Sequence, residues 1–269
     1  MVLHEQVTWL AKLGFAARGL VYLVIGWFAI DAAIRGGTVA DNQGAIGSMA
    51  DEPFGQVLLA VIAAGLFGYA LWRVTEALAD PERTGSDGKA MLKRAAQMIS
   101  GVAHIILGWT AAKLALRPAT ASSSTSPGDE SARDWTAWLL SQPLGRVLVA
   151  TVAIGLFAAA LLQAKKAWKG DFVRELRNPA ALPGYVCTMG RIGYGARSLV
   201  FAIIGGFFAV AAYQSHASEA GGMADALGTL QAQPGGAWLL LATGIGLGLF
   251  GAYSLIEARF RRISVELPG

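Results

Sequence analysis

The residues best able to do chemistry in this chain are charged side chains at the margins of long apolar stretches. Four of them stand at matched positions in the first and last thirds of the chain: Arg18, Glu76, Arg197 and Glu257. The middle third has Ser100 and Lys166 at the corresponding positions. Because arginine and glutamate are present together and absent together, the pattern predicts that each arginine pairs with the glutamate of its own third. The alternative is that each charge separately reaches water or lipid headgroups.

His104 is the ionisable residue that lies deepest inside an apolar stretch. A residue of this kind is a functional candidate by default, as a proton relay, a metal ligand or a haem ligand. Haem ligation by two histidines would need a partner at the same depth, but His4 and His216 lie near opposite ends of their stretches. Tyr22 and Phe201 occupy the place of His104 in the other thirds, so a packed, hydrogen-bonded histidine is the favoured interpretation.

Other chemical signals are weak. Gly246–Gly251 has the spacing GxGxxG of dinucleotide-binding loops, but that motif is meaningful only between a strand and a helix. Here it lies inside an apolar run, where Gly244 and Gly248 form a GxxxG step that permits close helix packing. The sequence has no nucleophile–base set, carboxylate cluster or metal-spaced Cys/His set. It therefore predicts no catalytic residue, cofactor site or metal site.

The composition indicates what must position these residues. Of the 269 residues, 54% are hydrophobic and 15% are charged, whereas a soluble domain has roughly 25% charged residues. Disordered chains are rich in charge and poor in apolar residues, so disorder is excluded. A disulfide scaffold is excluded because the chain has one cysteine. The remaining class is an integral membrane protein.

Six apolar stretches are long enough to form membrane-spanning helices. They are Leu13–Ile34, Phe54–Ala77, Ala95–Leu116, Leu144–Lys166, Arg191–Gln214 and Gly236–Ala258. With both termini on one side, 17 of the 22 Lys and Arg residues fall on that side. The positive-inside rule therefore predicts an all-α, multi-pass protein of the cytoplasmic (inner) membrane with both termini in the cytoplasm. This asymmetry accounts for the net charge of +4 without a nucleic-acid partner.

The chain contains a threefold internal repeat. The odd-numbered stretches align on Gly26, Gly108 and Gly205, and the even-numbered ones on Pro53, Pro143 and Pro234. Each proline follows a short amphipathic segment, which predicts a surface helix before each even helix, with the proline at the helix start. The predicted domain is a single transmembrane domain over 1–269, with repeats at 9–79, 91–170 and 185–262. Because a two-helix unit begins and ends on the same side, the copies are parallel, and we expect a pseudo-threefold bundle.

The repeats carry a family resemblance. The segments GFAARGLVYLVIGW, RIGYGARSLVFAIIGG, GLFGYALWRVTEA and GLFGAYSLIEARFRR, with the QPLG-type approach to the even helices, resemble the bacterial membrane proteins of domain-of-unknown-function family 1206. The resemblance covers about residues 9 to 262 and implies a pair of transmembrane helices repeated three times. The middle unit departs from it at Ser100 and Lys166. The resemblance implies no catalytic or binding residue.

The fourth loop, AKKAWKGDFVRELRNP, indicates a lipid partner. Trp168, Phe172 and Leu176 recur every four residues between basic residues, as in a helix lying on anionic headgroups. The alternative is a plain extension of the fourth helix, ending at Asn178-Pro179. The predicted partners are anionic lipids at the cytoplasmic face, or another membrane protein.

Two functions remain open. The first is a non-enzymatic binding protein, a scaffold or accessory subunit, because the spans have few polar groups with which to coordinate a solute. The second is a channel or transporter along the pseudo-threefold axis, with the arginine–glutamate layer as its gate. Its candidate lining residues are His104, Tyr22, Thr110, Thr151 and Thr243. A polar axial cavity would favour transport, whereas an axis filled with apolar side chains would favour the scaffold. A membrane enzyme ranks third.

Overall fold

A computed structural model describes residues 2–36, 55–79, 88–116, 127–177 and 182–262. Within these ranges the named elements are helices. They are α1 Val2–Arg35, α2 Gly55–Ala79, α3 Gly88–Leu116, α4 Pro127–Leu140, α5 Gly145–Lys169, α6 Tyr185–Gln214, α7 Met223–Gln231 and α8 Gly236–Phe260, with short 3₁₀ turns at Asp171–Glu175 and Ala217–Glu219.

The six long helices coincide with the six apolar stretches. Five of them, α1, α3, α5, α6 and α8, are long and apolar enough to cross a membrane. The sixth, α2, has a shorter apolar segment over Leu59–Thr75. In a bilayer every backbone polar group must be satisfied within the segment, and a helix does so locally, which is why an apolar run of this length predicts its own conformation.

The long helices pack in a definite order. The most extensive contacts join α1 with α8, α2 with α3, and α5 with α6. The second spans of the three repeats are α2, α5 and α8, so each of them lies against the first span of the next repeat in cyclic order. The pairs α1–α2 and α6–α8 also pack within their repeats. The middle repeat differs, because its helices α3 and α5 share no extensive contact among the described residues.

Equivalent residues form each of the three extensive interfaces. Gly108 of α3 lies against Leu66 and Phe67 of α2, and Gly205 of α6 lies against Leu156 and Phe157 of α5. These partners stand 13 and 14 residues after the aligned prolines. The same interface is therefore built again between different helices.

The third interface, between α1 and α8, is the closest. A Cβ on Gly26 of α1 would lie 2.8 Å from the carbonyl oxygen of Gly244 and 2.7 Å from the backbone nitrogen of Gly248. The Gly244–Gly248 step is thus a site of close helix approach, as predicted.

The amphipathic segments before the even spans form α4 and α7. The equivalent first segment, residues 43–55, lies almost wholly outside the described residues. Pro143 and Pro234 are not the first helical residues, because a turn separates α4 from α5 and α7 from α8. Leu144 and Gly235, one residue after the proline, adopt left-handed φ angles of 62° and 73°. This conformation reverses the chain into α5 and α8, and it moves the helix start to Gly145 and Gly236.

The interior is filled mainly by apolar and aromatic side chains. The core cluster includes Tyr22 and Ile25 from α1, Leu66 from α2, and Leu247 and Phe250 from α8. In the apolar segments of α1 and α8 50% of the residues are buried, whereas the share is 17% in α5 and 22% in α6. The pair α1–α8 is therefore central, whereas few residues of α5 and α6 are fully buried.

Candidate functional site

Among the described residues, Glu257 near the end of α8 is the most deeply buried charged side chain. Its side chain is 1% exposed, and one carboxylate oxygen accepts a hydrogen bond from Nη2 of Arg18 at 2.5 Å. The other oxygen accepts a bond from Nη1 of Arg261 at 2.7 Å. Two arginines, one on α1 and one directly after α8, thus neutralise one carboxylate, which is the arrangement that a buried charge needs.

The sequence-based pairing is corrected here. Glu257 bonds to Arg18 of the first repeat, and no ion pair among the described residues joins it to Arg197 of its own repeat. The reason is the helix order, since α8 packs against α1. The side chain of Glu76 lies outside the described part of the chain.

Arg18 is fixed by more than its ion pair. Its Nε lies 3.3 Å from the hydroxyl of Ser254, and its guanidinium carbon lies 4.9 Å from the ring centroid of Phe15 and 5.2 Å from that of Phe250. Nearby, Arg73 donates an Nε hydrogen bond to the Tyr69 hydroxyl at 2.8 Å. Hydrogen bonds and cation–π contacts therefore hold this guanidinium in one place.

Arg261 links the buried pair to the loop between α5 and α6. It bonds to Glu175 at 2.7 Å as well as to Glu257. Burial by itself would lower the pKa of Arg261, but the two carboxylates outweigh it and hold that pKa above its usual value. Arg261 therefore remains charged and joins the end of α8 to this loop.

The same loop corrects the predicted interfacial helix. After α5 the chain turns at Gly170, which has a φ of 67°, and continues as the 3₁₀ turn. Leu176 then forms an isolated antiparallel bridge with Arg261. Phe172 is 1% exposed and Leu176 is fully buried, whereas Trp168 is 83% exposed. Two of the three residues expected on lipid are instead buried at the end of the bundle, where Phe172 packs on Tyr194 and Tyr253.

The structure places His104 in a packed, hydrogen-bonded position. Its Nδ1 lies 2.7 Å from the carbonyl oxygen of Ser100, so Nδ1 carries the proton and donates. Its ring packs on Tyr69 with centroids 4.5 Å apart. No group of three or more His, Cys, Asp and Glu residues is arranged to hold a metal ion within the described ranges.

Arg197 and Lys166 lie near this cluster without joining its ion pairs. The guanidinium carbon of Arg197 lies 4.3 Å from the ring centroid of Phe250 and 5.2 Å from that of Tyr22. Its Nε is buried and has no hydrogen-bond partner. The ammonium of Lys166 lies 5.3 Å from the Tyr194 ring centroid. The sequence placed Arg197 with a carboxylate, but the structure places it among aromatic rings.

Two arginines cap helix ends at equivalent places. Arg94 donates to the carbonyl oxygens of Ala77 and Leu78 at the end of α2. Arg191 donates to those of Ala167 and Trp168 at the end of α5. The last carbonyls of a helix have no partner within the helix and carry partial negative charge, so a guanidinium stabilises them. These contacts were not predicted from the sequence, although the basic residues recur there in each repeat.

We expect Arg191→Gln to lower the free energy of unfolding by about 1 kcal/mol, because the α5 carbonyls lose their charged donor. Chemical denaturation of the purified protein in detergent measures this change. The matched control is Arg174→Gln, which removes an exposed charge from the adjacent loop and should stay within about 0.5 kcal/mol of the original protein. Equal effects of the two substitutions would contradict the capping role.

Comparisons with known proteins agree on the repeat. The family described as "Domain of Unknown Function (DUF1206)" matches three segments, residues 13–80, 95–170 and 192–261. The chain is also similar to "Uncharacterized protein YxxB" of Bacillus subtilis (strain 168), with 27% identity over 269 residues, 98% of this chain and 95% of that protein. No solved structure matches.

Proposed function

The chain belongs to the DUF1206 family, and from that premise we propose that it is a non-enzymatic integral protein of the cytoplasmic membrane that acts by binding. Its role is that of a scaffold or accessory subunit, in contact with anionic lipids at the cytoplasmic face and with another membrane protein. All six long helices cross the bilayer, and both termini are cytoplasmic.

Aromatic side chains support this placement. Exposed rings mark the outer end of the bundle at Trp138, Tyr213 and Trp238, and the cytoplasmic end at Trp168 and Tyr185. Trp and Tyr are enriched at the two membrane–water interfaces. The 25 residues of α5 extend about 37 Å at 1.5 Å per residue, which is enough to cross a hydrocarbon core of about 30 Å.

The three equivalent interfaces support a pseudo-threefold arrangement. Gly26, Gly108 and Gly205 each meet the even span that precedes them in the cyclic order of the repeats. A rotation about an axis along the membrane normal relates such interfaces, whereas an inverted repeat would not. Because α3 and α5 share no extensive contact among the described residues, the ring of packed helices is open within the middle repeat.

The binding role is supported by the positions of the residues that were candidates to line a channel. Tyr22 is buried against Phe250, with ring centroids 4.9 Å apart, and Thr243 is 4% exposed. Thr151 is on the exposed surface and donates its hydroxyl to its own helix at Val147. The side chain of Thr110 lies outside the described residues. Lining residues that are packed or face outward support a scaffold over a channel.

Native mass spectrometry of the gently extracted protein tests the proposal. We expect bound phospholipid and a partner subunit at fixed stoichiometry. A bare protein together with solute flux in reconstituted vesicles would favour the channel instead.

The orientation gives a separate prediction. Alkaline phosphatase, which is active only outside the cytoplasm, should be inactive when fused after Gly269 and active when inserted within residues 117–126, because the positive charge concentrates on the cytoplasmic side. A fluorescent protein that folds only in the cytoplasm should show the reverse pattern. Activity of the phosphatase at the C-terminal fusion would overturn the proposed topology.

A further inference from the structure

A surface cavity lies at the end of α5, where the chain leaves the helix. Its volume is about 510 Å³. It is lined by Trp168, Lys169, Gly170, Asp171 and Arg174. The lining residues thus carry two positive charges, one negative charge and an indole ring, all within one short segment of the chain.

The turn after α5 brings these residues together. Gly170 has a φ of 67° and ends the helix at Lys169. The chain then forms the 3₁₀ turn, in which Phe172 is buried against the end of the bundle. Because Phe172 points into the protein, the charged residues on either side of it, Asp171 and Arg174, remain exposed beside the end of α5.

The charges that line this cavity do not neutralise one another. No ion pair among the described residues involves Lys169, Asp171 or Arg174. Arg191 already donates to the carbonyl oxygens at the end of α5, so the cations of the cavity are not needed to cap the helix. Charges of both signs therefore remain available to a ligand that itself carries both signs.

We propose that this cavity binds the headgroup of phosphatidylethanolamine. The phosphate lies between Lys169 and Arg174, and the primary ammonium meets the carboxylate of Asp171 and the ring of Trp168. Arginine matches the geometry of phosphate oxygens, and lysine contributes a point charge. The ammonium is attracted to the face of a tryptophan ring, and its three N–H donors can also bond to a carboxylate.

Two related headgroups fit this cavity less well. The headgroup of phosphatidylglycerol has a phosphate but no ammonium, so it offers Asp171 only a like charge. The quaternary ammonium of phosphatidylcholine is attracted to the Trp168 ring, but it has no N–H donor for the carboxylate. Asp171 is therefore the residue that selects among these three lipids.

The same pairing of phosphate and ammonium occurs in soluble phosphoethanolamine. A lipid is favoured because the cavity lies beside the last residue of a helix that is long and apolar enough to cross a membrane. Trp168 is also largely exposed there, as tryptophans are at a membrane–water interface. This choice rests on the proposed function, which places the end of α5 among the headgroups of the cytoplasmic leaflet. Phosphatidylethanolamine is then an individually bound lipid, in addition to the anionic lipids of that face.

The test uses the full chain, purified in a neutral detergent and stripped of lipid. Phosphatidylethanolamine, phosphatidylglycerol and phosphatidylcholine with identical acyl chains are titrated separately, and native mass spectrometry reports occupancy. We expect phosphatidylethanolamine to bind about fivefold more tightly than either of the others, the upper end of what one exposed charge pair contributes.

Substitutions in the cavity should act differently on the two lipids. Asp171→Asn should weaken the binding of phosphatidylethanolamine about fivefold and strengthen that of phosphatidylglycerol, because it removes a partner of the ammonium and a repulsion of the phosphate. Arg174→Gln should weaken the binding of both. The control Arg177→Gln removes an exposed charge of the same loop that does not line the cavity, and it should change either affinity less than about twofold.

Soluble phosphoethanolamine separates the two sources of the headgroup. Displacement of phosphatidylethanolamine by an equal concentration of phosphoethanolamine assigns the cavity to a soluble ligand, and failure of displacement assigns it to the lipid. The proposal is overturned by an affinity for phosphatidylethanolamine that does not exceed those for the other two lipids. It is also overturned if Asp171→Asn leaves that affinity unchanged, which is the result expected of a surface that attracts lipids by net charge alone.

Thermal unfolding without added lipid excludes a structural explanation. Because Asp171 and Arg174 are exposed and make no ion pair, we expect neither substitution to change the melting temperature, so a loss of lipid binding reports on the cavity itself. Release of the protein from membranes by carbonate would refute the proposed function, whereas the absence of a preference for phosphatidylethanolamine refutes this site alone.

Discussion

Glu257→Gln is expected to lower the free energy of unfolding by about 3–5 kcal/mol, the range for breaking a buried ion pair by removing one partner. The loss is large because Glu257 is 1% exposed and holds both Arg18 and Arg261. Glutamine fills the same volume but leaves Arg18 charged, buried and without its counter-ion. Chemical denaturation in detergent, followed by circular dichroism, measures the change.

The matched control is Glu175→Gln. Glu175 bonds to the same Arg261, but its side chain is 43% exposed, so its loss should cost about 1 kcal/mol or less. A small effect at Glu257, equal to that at Glu175, would contradict the role assigned to the buried pair.

A double-mutant cycle identifies the partner. Arg18→Gln and Glu257→Gln together should cost less than the sum of the single substitutions, with a coupling of about 1–3 kcal/mol, as expected of residues in contact. The same cycle with Arg197→Gln should give a coupling near zero, since no ion pair joins Arg197 to Glu257. Stronger coupling to Arg197 would restore the pairing within one repeat.

Gly251→Ala and Gly248→Ala should have opposite effects although they lie one turn apart on α8. A Cβ at Gly251 would lie 2.7 Å from the carbonyl oxygen of Gly19 and 2.8 Å from the backbone nitrogen of Leu23. Backbone atoms cannot move aside without separating α1 from α8, so the cost should be about 3 kcal/mol, the upper part of the range for overpacking.

At Gly248 an added Cβ meets no atom within 4 Å. Alanine there should instead stabilise the helix, by up to about 1 kcal/mol, through its better helix propensity. Thermal unfolding of both variants in one detergent provides the comparison. Shifts of the same sign would show that the close contact between α1 and α8 does not control stability.

The interfacial helix shows where the sequence pattern was insufficient. The spacing of Trp168, Phe172 and Leu176 suits an amphipathic helix, yet the chain leaves the helix at Gly170. Phe172 and Leu176 then meet the end of the bundle, where Tyr194 and Tyr253 offer an aromatic surface to cover. Periodicity records that apolar residues share a face but does not record whether lipid or protein covers that face.

The sequence by itself determined the helices, their repeat and their apolar character. The reason is local: in a long apolar run each backbone group must bond within its own segment, so the existence of helices such as α5 and α8 follows from the run itself. Only the tertiary structure decided which helices are neighbours. The repeat alignment shows that Arg18 and Arg197 are equivalent, but it does not show which residue each of them binds. Arg18 forms the ion pair with Glu257 because α8 packs on α1. Interhelical contacts in a bilayer depend on close packing rather than on adjacency along the chain.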